Sequence, residues 1–260
     1  MDDGAATTVE TWGERGPLLL AIHGMVSSRK SWERLARRFE GRFRIAAYDQ
    51  RGHGDSAATA GPMSLDRGVR DAENVAAALG EPIDVLLGHS WGGALAIIAG
   101  THLEVTRVAA IDPMICQVSD SWYEEYLDEL GELFALPEAE RAARTREEFR
   151  KWAPLDVEGK VHAVRAMSVT PIEELWKENP RAAWDLRALI ASYPKPLLLA
   201  LASRGESIND DATLEEVERD HAACVDIVSF PHAGHNLHRT AFEPFVEALD
   251  SWLTRASKQV

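Results

Sequence analysis

Gly88-His89-Ser90-Trp91-Gly92 sets a serine between two glycines, after the apolar run 83–87 and before the small-residue run 93–99. A strand feeding a tight reversal into a helix leaves no room beside such a serine. Glycines at 88 and 92 let the backbone segments pass while Ser90 Oγ projects outward as a nucleophile. The helix N-terminus then lies beneath the charge that develops on attack. The pentapeptide alone would equally suit a structural Gly-Ser turn, and the strand and helix flanking it favour the chemical reading. A serine hydroxyl also needs a base. Pro231-His232-Ala233-Gly234-His235-Asn236-Leu237-His238 offers one late in the chain, between a strand-like run at 223–230 and a periodic helix. His235 is the candidate, because imidazole titrates near neutrality and can take and return a proton. His238 is the main alternative, His232 also lies close, and a loop-bracing histidine is the structural reading.

In their order along the chain, these segments resemble the alpha/beta-hydrolase fold superfamily, across nearly all of residues 12–255. His23-Gly24-Met25 resembles the family's oxyanion motif. Asp49-Gln50-Arg51-Gly52-His53-Gly54-Asp55-Ser56 resembles the loop after its next strand, 88–92 its nucleophile elbow, and Gly234-His235 its histidine loop. The resemblance implies Ser90 as nucleophile, His235 as base, and the backbone N–H groups of Met25 and Trp91 as oxyanion donors, with the two side chains bearing on the pocket. Donors of this kind are each worth about 3 kcal/mol. His23 reads as a loop brace, and so do Arg51, His53 and Asp55 together.

The acid is where this sequence departs from the family, whose members usually place an aspartate shortly after the strand that here is 196–202. The loop instead reads Ser203-Arg204-Gly205-Glu206-Ser207-Ile208-Asn209-Asp210-Asp211. Glu206 is its first carboxylate and is expected to accept the His235 Nδ1–H, fixing the tautomer. Asp112, which ends the strand-like run 108–111, is the alternative acid. Asp210 and Asp211 follow, although either also suits the cap of a helix starting near Ala212.

The 260 residues carry 42 acidic against 28 basic side chains, a formal charge of −14. That balance disfavours nucleic-acid and anionic-membrane partners, which want positive surfaces. It also makes a strongly anionic substrate less natural unless local Arg or Lys reverse the field. Met1-Asp2-Asp3-Gly4 has neither a basic leader nor an apolar signal, so a cytoplasmic protein without membrane spans is expected. Cys116 and Cys224 do not form a disulfide scaffold. Phosphate-loop, dinucleotide and zinc spacings are lacking, so neither a cofactor nor a metal is expected.

Alternating strand and helix patterns predict an α/β fold, with a mainly parallel central sheet covered by helices on both faces. Expected elements include an edge strand at 6–11, helices at 31–39 and 65–79, the latter ended by Gly80, and a terminal helix near 242–253. Residues 116–193 break the alternation and read as an inserted helical cap, leaving 1–115 and 194–260 as the core. Trp32, Trp122, Trp176 and Trp184 are the candidates for a substrate pocket, while the charged run 138–148 reads as a solvated helical face. The expected function is a serine hydrolase, a monomer or homodimer, cleaving a small or medium carboxylic ester through an acyl-enzyme, with a small-molecule acyl substrate. A lactone, thioester or carbon–carbon bond hydrolase is the alternative, as is a non-catalytic ligand-binding protein of this fold. Serine rather than aspartate at 90 argues against epoxide or haloalkane chemistry of the resembling kinds.

Overall fold

The computed structural model describes residues 1–59 and 61–256, so the last four residues of the expected C-terminal core segment lie outside the described residues. Among the described residues, one sheet holds β1 (Val9–Trp12), β2 (Leu18–Ile22), β3 (Arg44–Tyr48), β4 (Ile83–His89), β5 (Val105–Ile111), β6 (Leu197–Ala202) and β7 (Val225–Phe230). Their order is β1-β3-β2-β4-β5-β6-β7, with β1 antiparallel to β3 and every other pair parallel. The edge strand starts three residues later than the sequence suggested.

Side-chain alternation along β2 explains why both faces of the sheet are dry. Leu18, Leu20 and Ile22 pack with residues of α2 (Leu65–Leu79) and α3 (Trp91–His102), whereas Leu19 and Ala21 pack with α1 (Glu33–Arg38) on the opposite face. The ends of α2 follow from sequence: Ser64 Oγ accepts from Arg67 N–H at 3.1 Å, and Gly80 adopts φ 68°. The helix expected at 31–39 is shorter, because a 3-10 turn at Arg29–Trp32 precedes α1. Ser31 does not cap it; its hydroxyl is bonded to Ser27 Oγ at 2.5 Å.

Between β5 and β6 the chain forms α4 (Asp120–Ala135), α5 (Glu138–Glu148), α6 (Pro154–Val164) and α7 (Thr170–Glu178), then the short α8 (Arg187–Ala191). These additional helices form the cap. Leu130, Leu133, Val164, Met167 and Ile172 give it a core of its own, which closes over Val26 of the sheet side. An isolated antiparallel bridge between Cys116 and Asp185 ties together the strands of chain that lead into and out of it. Beyond β6 come α9 (Asp211–Arg219), α10 (Leu237–Thr240) and α11 (Phe242–Ala256). Asp210 caps α9 by accepting from Thr213 N–H at 2.7 Å, as its position suggested. On α11, Phe245, Val246, Leu249 and Trp252 are buried against the sheet. No described helix is long and apolar enough to cross a membrane.

Candidate active site

The three non-glycine residues with positive φ among the described residues all follow carboxyl ends of central strands: Val26 (51°) after β2, Ser90 (56°) after β4, and Asp112 (37°) after β5. Such conformations cost about 1–3 kcal/mol each and persist where packing imposes them, typically at functional sites. At the elbow the imposition is visible. A Cβ on Gly88 would run into the Gly92 carbonyl, and one on Gly92 would run into the Ile22 and His23 carbonyls. Ser90 is thereby held with its carbonyl accepting from Gly93 N–H at 2.9 Å, at the first turn of α3.

Gly24 lets the β2 loop lie against the same serine, since a Cβ there would stand 2.9 Å from Ser90 Cβ and 3.0 Å from His89 Nδ1. Met25 N–H and Trp91 N–H find no acceptor among the described residues, the state required of donors reserved for a bound oxyanion. His23 braces this loop: its Nδ1–H donates to the Gly24 carbonyl at 2.8 Å, and its Nε2 accepts from Gln50 N–H at 3.0 Å. Burial lowers His23 to about 4, which keeps it neutral for that arrangement.

His235 Nδ1 meets Asp112 Oδ2 at 2.6 Å. This corrects the expectation for Glu206. Glu206 is exposed, and its contribution is a main-chain carbonyl that accepts from His235 N–H at 3.0 Å. The loop after β6 supplies donors in place of an acid. Asp112, fully buried, accepts from Ala202 N–H (3.1 Å), Ser207 Oγ–H (2.7 Å) and Ile208 N–H (3.0 Å) in addition to His235. Four donors on one buried carboxylate fix its direction.

With Nδ1 engaged, His235 keeps Nε2 for the cavity, which it borders together with Ser90. No hydrogen bond joins the two side chains among the described residues, and catalytic contacts of this kind are commonly long before substrate binds. His89 donates Nε2–H to the His235 carbonyl at 3.0 Å and packs on its ring at 4.7 Å between centroids. Burial, then His238 and His235, hold His89 well below the ordinary imidazole range, consistent with a neutral donor. His238 is buried against His89 and Trp32 and does not border the cavity, and His232 is exposed. Neither alternative base is brought to Ser90.

The cavity between core and cap has a volume of about 590 Å³. Met25, Trp122 and Trp176 line it, with Tyr123 stacked on Trp176 at 4.0 Å between centroids. Trp32 and Trp184 do not. Each is 1% exposed: Trp32 belongs to the core beneath α1, and Trp184 donates its indole N–H to the Met114 carbonyl at 2.9 Å. The Trp91 side chain also turns into the core, giving its N–H to Gln50 Oε1 at 2.9 Å. Size and aromaticity mark core residues as readily as pocket residues, which is why sequence could not separate them.

Lys160 and Arg239 border the cavity and were not singled out by sequence. Arg239 lies on the short α10, which follows His235, and no sequence spacing marked it. The loop after β3 is a brace: Arg51 pairs with Asp71, and Arg29 with both Asp49 and Asp55. Asp49, Asp55 and His162 bring possible ligand atoms within 4.8 Å of one another, but Arg29 and Arg165 already donate to those carboxylates.

The sequence matches the family model described as "Alpha/beta hydrolase family" over residues 18–248. Among curated proteins it is similar to Epoxide hydrolase 4 of Mus musculus, 41% identical over 87 residues, covering 32% of this chain and 24% of that one. The chain thus matches about a quarter of that relative's length. It is also similar to the Magnesium-chelatase 30 kDa subunit of Rhodobacter capsulatus, 26% identical over 94% of this chain and 89% of that protein. Among solved structures, a hydrolase from Pseudomonas aeruginosa PA01 has a TM-score of 0.77 at 22% identity, covering 97% of this chain and 96% of that one. An esterase from Exiguobacterium antarcticum has a TM-score of 0.74 at 21% identity, covering 97% of each chain. At such identities these structures establish a shared fold. Together with the family match over most of its length, the elbow serine, the β2 loop and the histidine loop place this chain in the alpha/beta hydrolase family.

Proposed function

We propose that the protein is a cofactor-independent serine hydrolase that cleaves a small or medium carboxylic ester through an acyl-enzyme. The observation that carries this reading is the convergence on one cavity of Ser90, in a strained elbow conformation, and His235, oriented by Asp112 at 2.6 Å. His235 Nε2 takes the Ser90 proton as Oγ attacks the ester carbonyl. The oxyanion is bound by Met25 and Trp91 N–H, and Asp112 stabilises the imidazolium. Collapse passes the proton to the departing alcohol and leaves Ser90 acylated. Water, deprotonated by His235, then attacks the acyl carbon and releases the acid.

Relatives named epoxide hydrolases raise a second chemistry, which the serine opposes. Ser90 opening an epoxide would form an alkyl ether, and no carbonyl would be available for water to attack. A lactone, thioester or carbon–carbon bond beside a carbonyl would use the same apparatus. Rapid-mixing kinetics with p-nitrophenyl esters tests the reading: a burst of phenolate equal to the enzyme concentration is expected, followed by slower turnover. Absence of ester cleavage, with turnover of lactones, thioesters or vinylogous diketones in parallel assays, would move the substrate class. No ligand-binding role without turnover is needed to explain the site. The division into core and cap at 116 and 193, a cytoplasmic location and a monomer or homodimer belong to the same proposal, with sedimentation testing the last.

A further inference from the structure

Two cations reach the cavity wall without a carboxylate partner within 4 Å among the described residues. Lys160, half-buried on α6, donates Nζ–H to the Val26 carbonyl at 2.8 Å and faces the Phe149 ring. Arg239 on α10 is 5% exposed. It donates Nη2–H to Ser27 Oγ and Nη1–H to Asn236 Oδ1, both at 3.2 Å, while its Nε finds no acceptor. Asp156, bound to Arg34 at 2.9 Å, also attracts Arg239 electrostatically, and the exposed Glu148 attracts Lys160, neither as a direct ion pair. Glu129 and Glu132 are exposed and border the cavity as well, with Arg144 3.8 Å from Glu132.

Holding two like charges out of water costs several kcal/mol per ion unless an anion compensates. Burial, with Arg239 adding repulsion, lowers Lys160 to about 7, and burial lowers Arg239 to about 10, so both pay for their position. The hydrogen bond of Lys160 and one of the two from Arg239 fall on Val26 and Ser27, the residues that directly follow Met25. The two basic groups therefore stand beside the loop that would hold the scissile carbonyl oxygen, where they offer local positive charge in a chain whose formal charge is −14.

We infer that the ester cleaved by Ser90 carries a carboxylate, bound between Lys160 and Arg239. This rests on the proposed esterase chemistry and narrows its substrate to anionic esters. The test compares mono-p-nitrophenyl adipate with p-nitrophenyl hexanoate, acyl groups of equal length that differ in the terminal charge, using the full chain. The charged ester is expected to have a kcat/KM about tenfold or more above the neutral one, and Lys160→Met to reduce that ratio by a similar factor. Arg239→Gln should do the same; if it fails to fold, Lys160→Met carries the test. Equal kcat/KM for the two esters, or a ratio unchanged by K160M, overturns the anion site while leaving the hydrolase reading intact. If neither ester is cleaved, adipate binding measured by calorimetry still decides: binding weakened about tenfold in K160M supports the site, and no binding or equal binding overturns it.

Discussion

The floor of the cavity, built from the ends of β2, β4 and β5, and its roof, built from α4, α6 and α7, determine their side chains to very different degrees. On the floor, Asp112 accepts from four donors and Gly24 leaves no space for a Cβ. On the roof, Trp122 is 40% exposed and Lys160 holds one hydrogen bond, to a carbonyl of the floor. A small change in the floor should therefore misplace reacting atoms, whereas the roof should adjust and alter mainly which substrate is held. In this chain the reacting groups lie on the constrained part, and the adaptable part is where a change of substrate is most readily accommodated.

The largest effect should come from the Asp112 carboxylate. Asp112→Asn should lower kcat by about 10³ to 10⁴-fold, because an amide can no longer hold the His235 tautomer. Glu206→Gln should stay within about threefold of the parent, since its side chain is exposed. Parallel turnover and thermal unfolding separate these cases, and near-normal activity in folded D112N with collapse in E206Q would reverse the assignment.

A second effect belongs to four buried histidines, of which His23 and His89 belong to the floor and His53 and His238 lie behind it. His23 is lowered to about 4, His53 to about 3, and His89 and His238 also lie well below their ordinary range, in each case chiefly through burial. They stay neutral in the folded protein while the unfolded chain takes up protons near 6.5. Their stability contribution is thus complete above that pH and is lost as pH falls toward the folded values, at up to about 1.4 kcal/mol per pH unit for each histidine. Melting curves should show Tm dropping steeply between pH 6 and about 4. A flat profile would show that these rings are not held neutral.

Next in size, Gly24→Ala should reduce kcat/KM by about 10 to 100-fold, as the new Cβ displaces Ser90 and His89 from reactive geometry. Activity close to the parent would mean that the floor yields more readily than its packing implies. Smallest is the roof. Trp122→Ala should raise KM a few-fold, leave kcat within about twofold, and change stability by less than about 0.5 kcal/mol, given its exposure. A large fall in kcat would remove the distinction between floor and roof.

The floor was the more legible region. Ser90 and His235 stood out because glycine spacing and strand-to-helix order leave a local trace, and Gly80 and Asp210 ended and began helices for equally local reasons. The acid was not local. Glu206 was favoured as the first carboxylate after β6, yet Asp112 meets His235 across 123 positions of sequence, and Ser207 and Ile208 serve as its donors. The roof left still less trace: Trp122 and Trp184 look alike in sequence, but one lines the cavity and the other is sealed in the core. Lys160 and Arg239 sat among ordinary helical charges, and only three-dimensional packing sets them at the cavity wall without a direct carboxylate ion pair among the described residues.

Acid quenching during steady-state turnover of p-nitrophenyl acetate, followed by intact-protein and peptide mass spectrometry, tests the central claim most directly. An acetyl increment confined to the peptide containing Ser90, and absent from folded Ser90→Ala protein that has lost turnover, is the predicted result. Comparable ester turnover by folded S90A, or acetyl on another side chain with Ser90 unmodified, would contradict the acyl-enzyme mechanism.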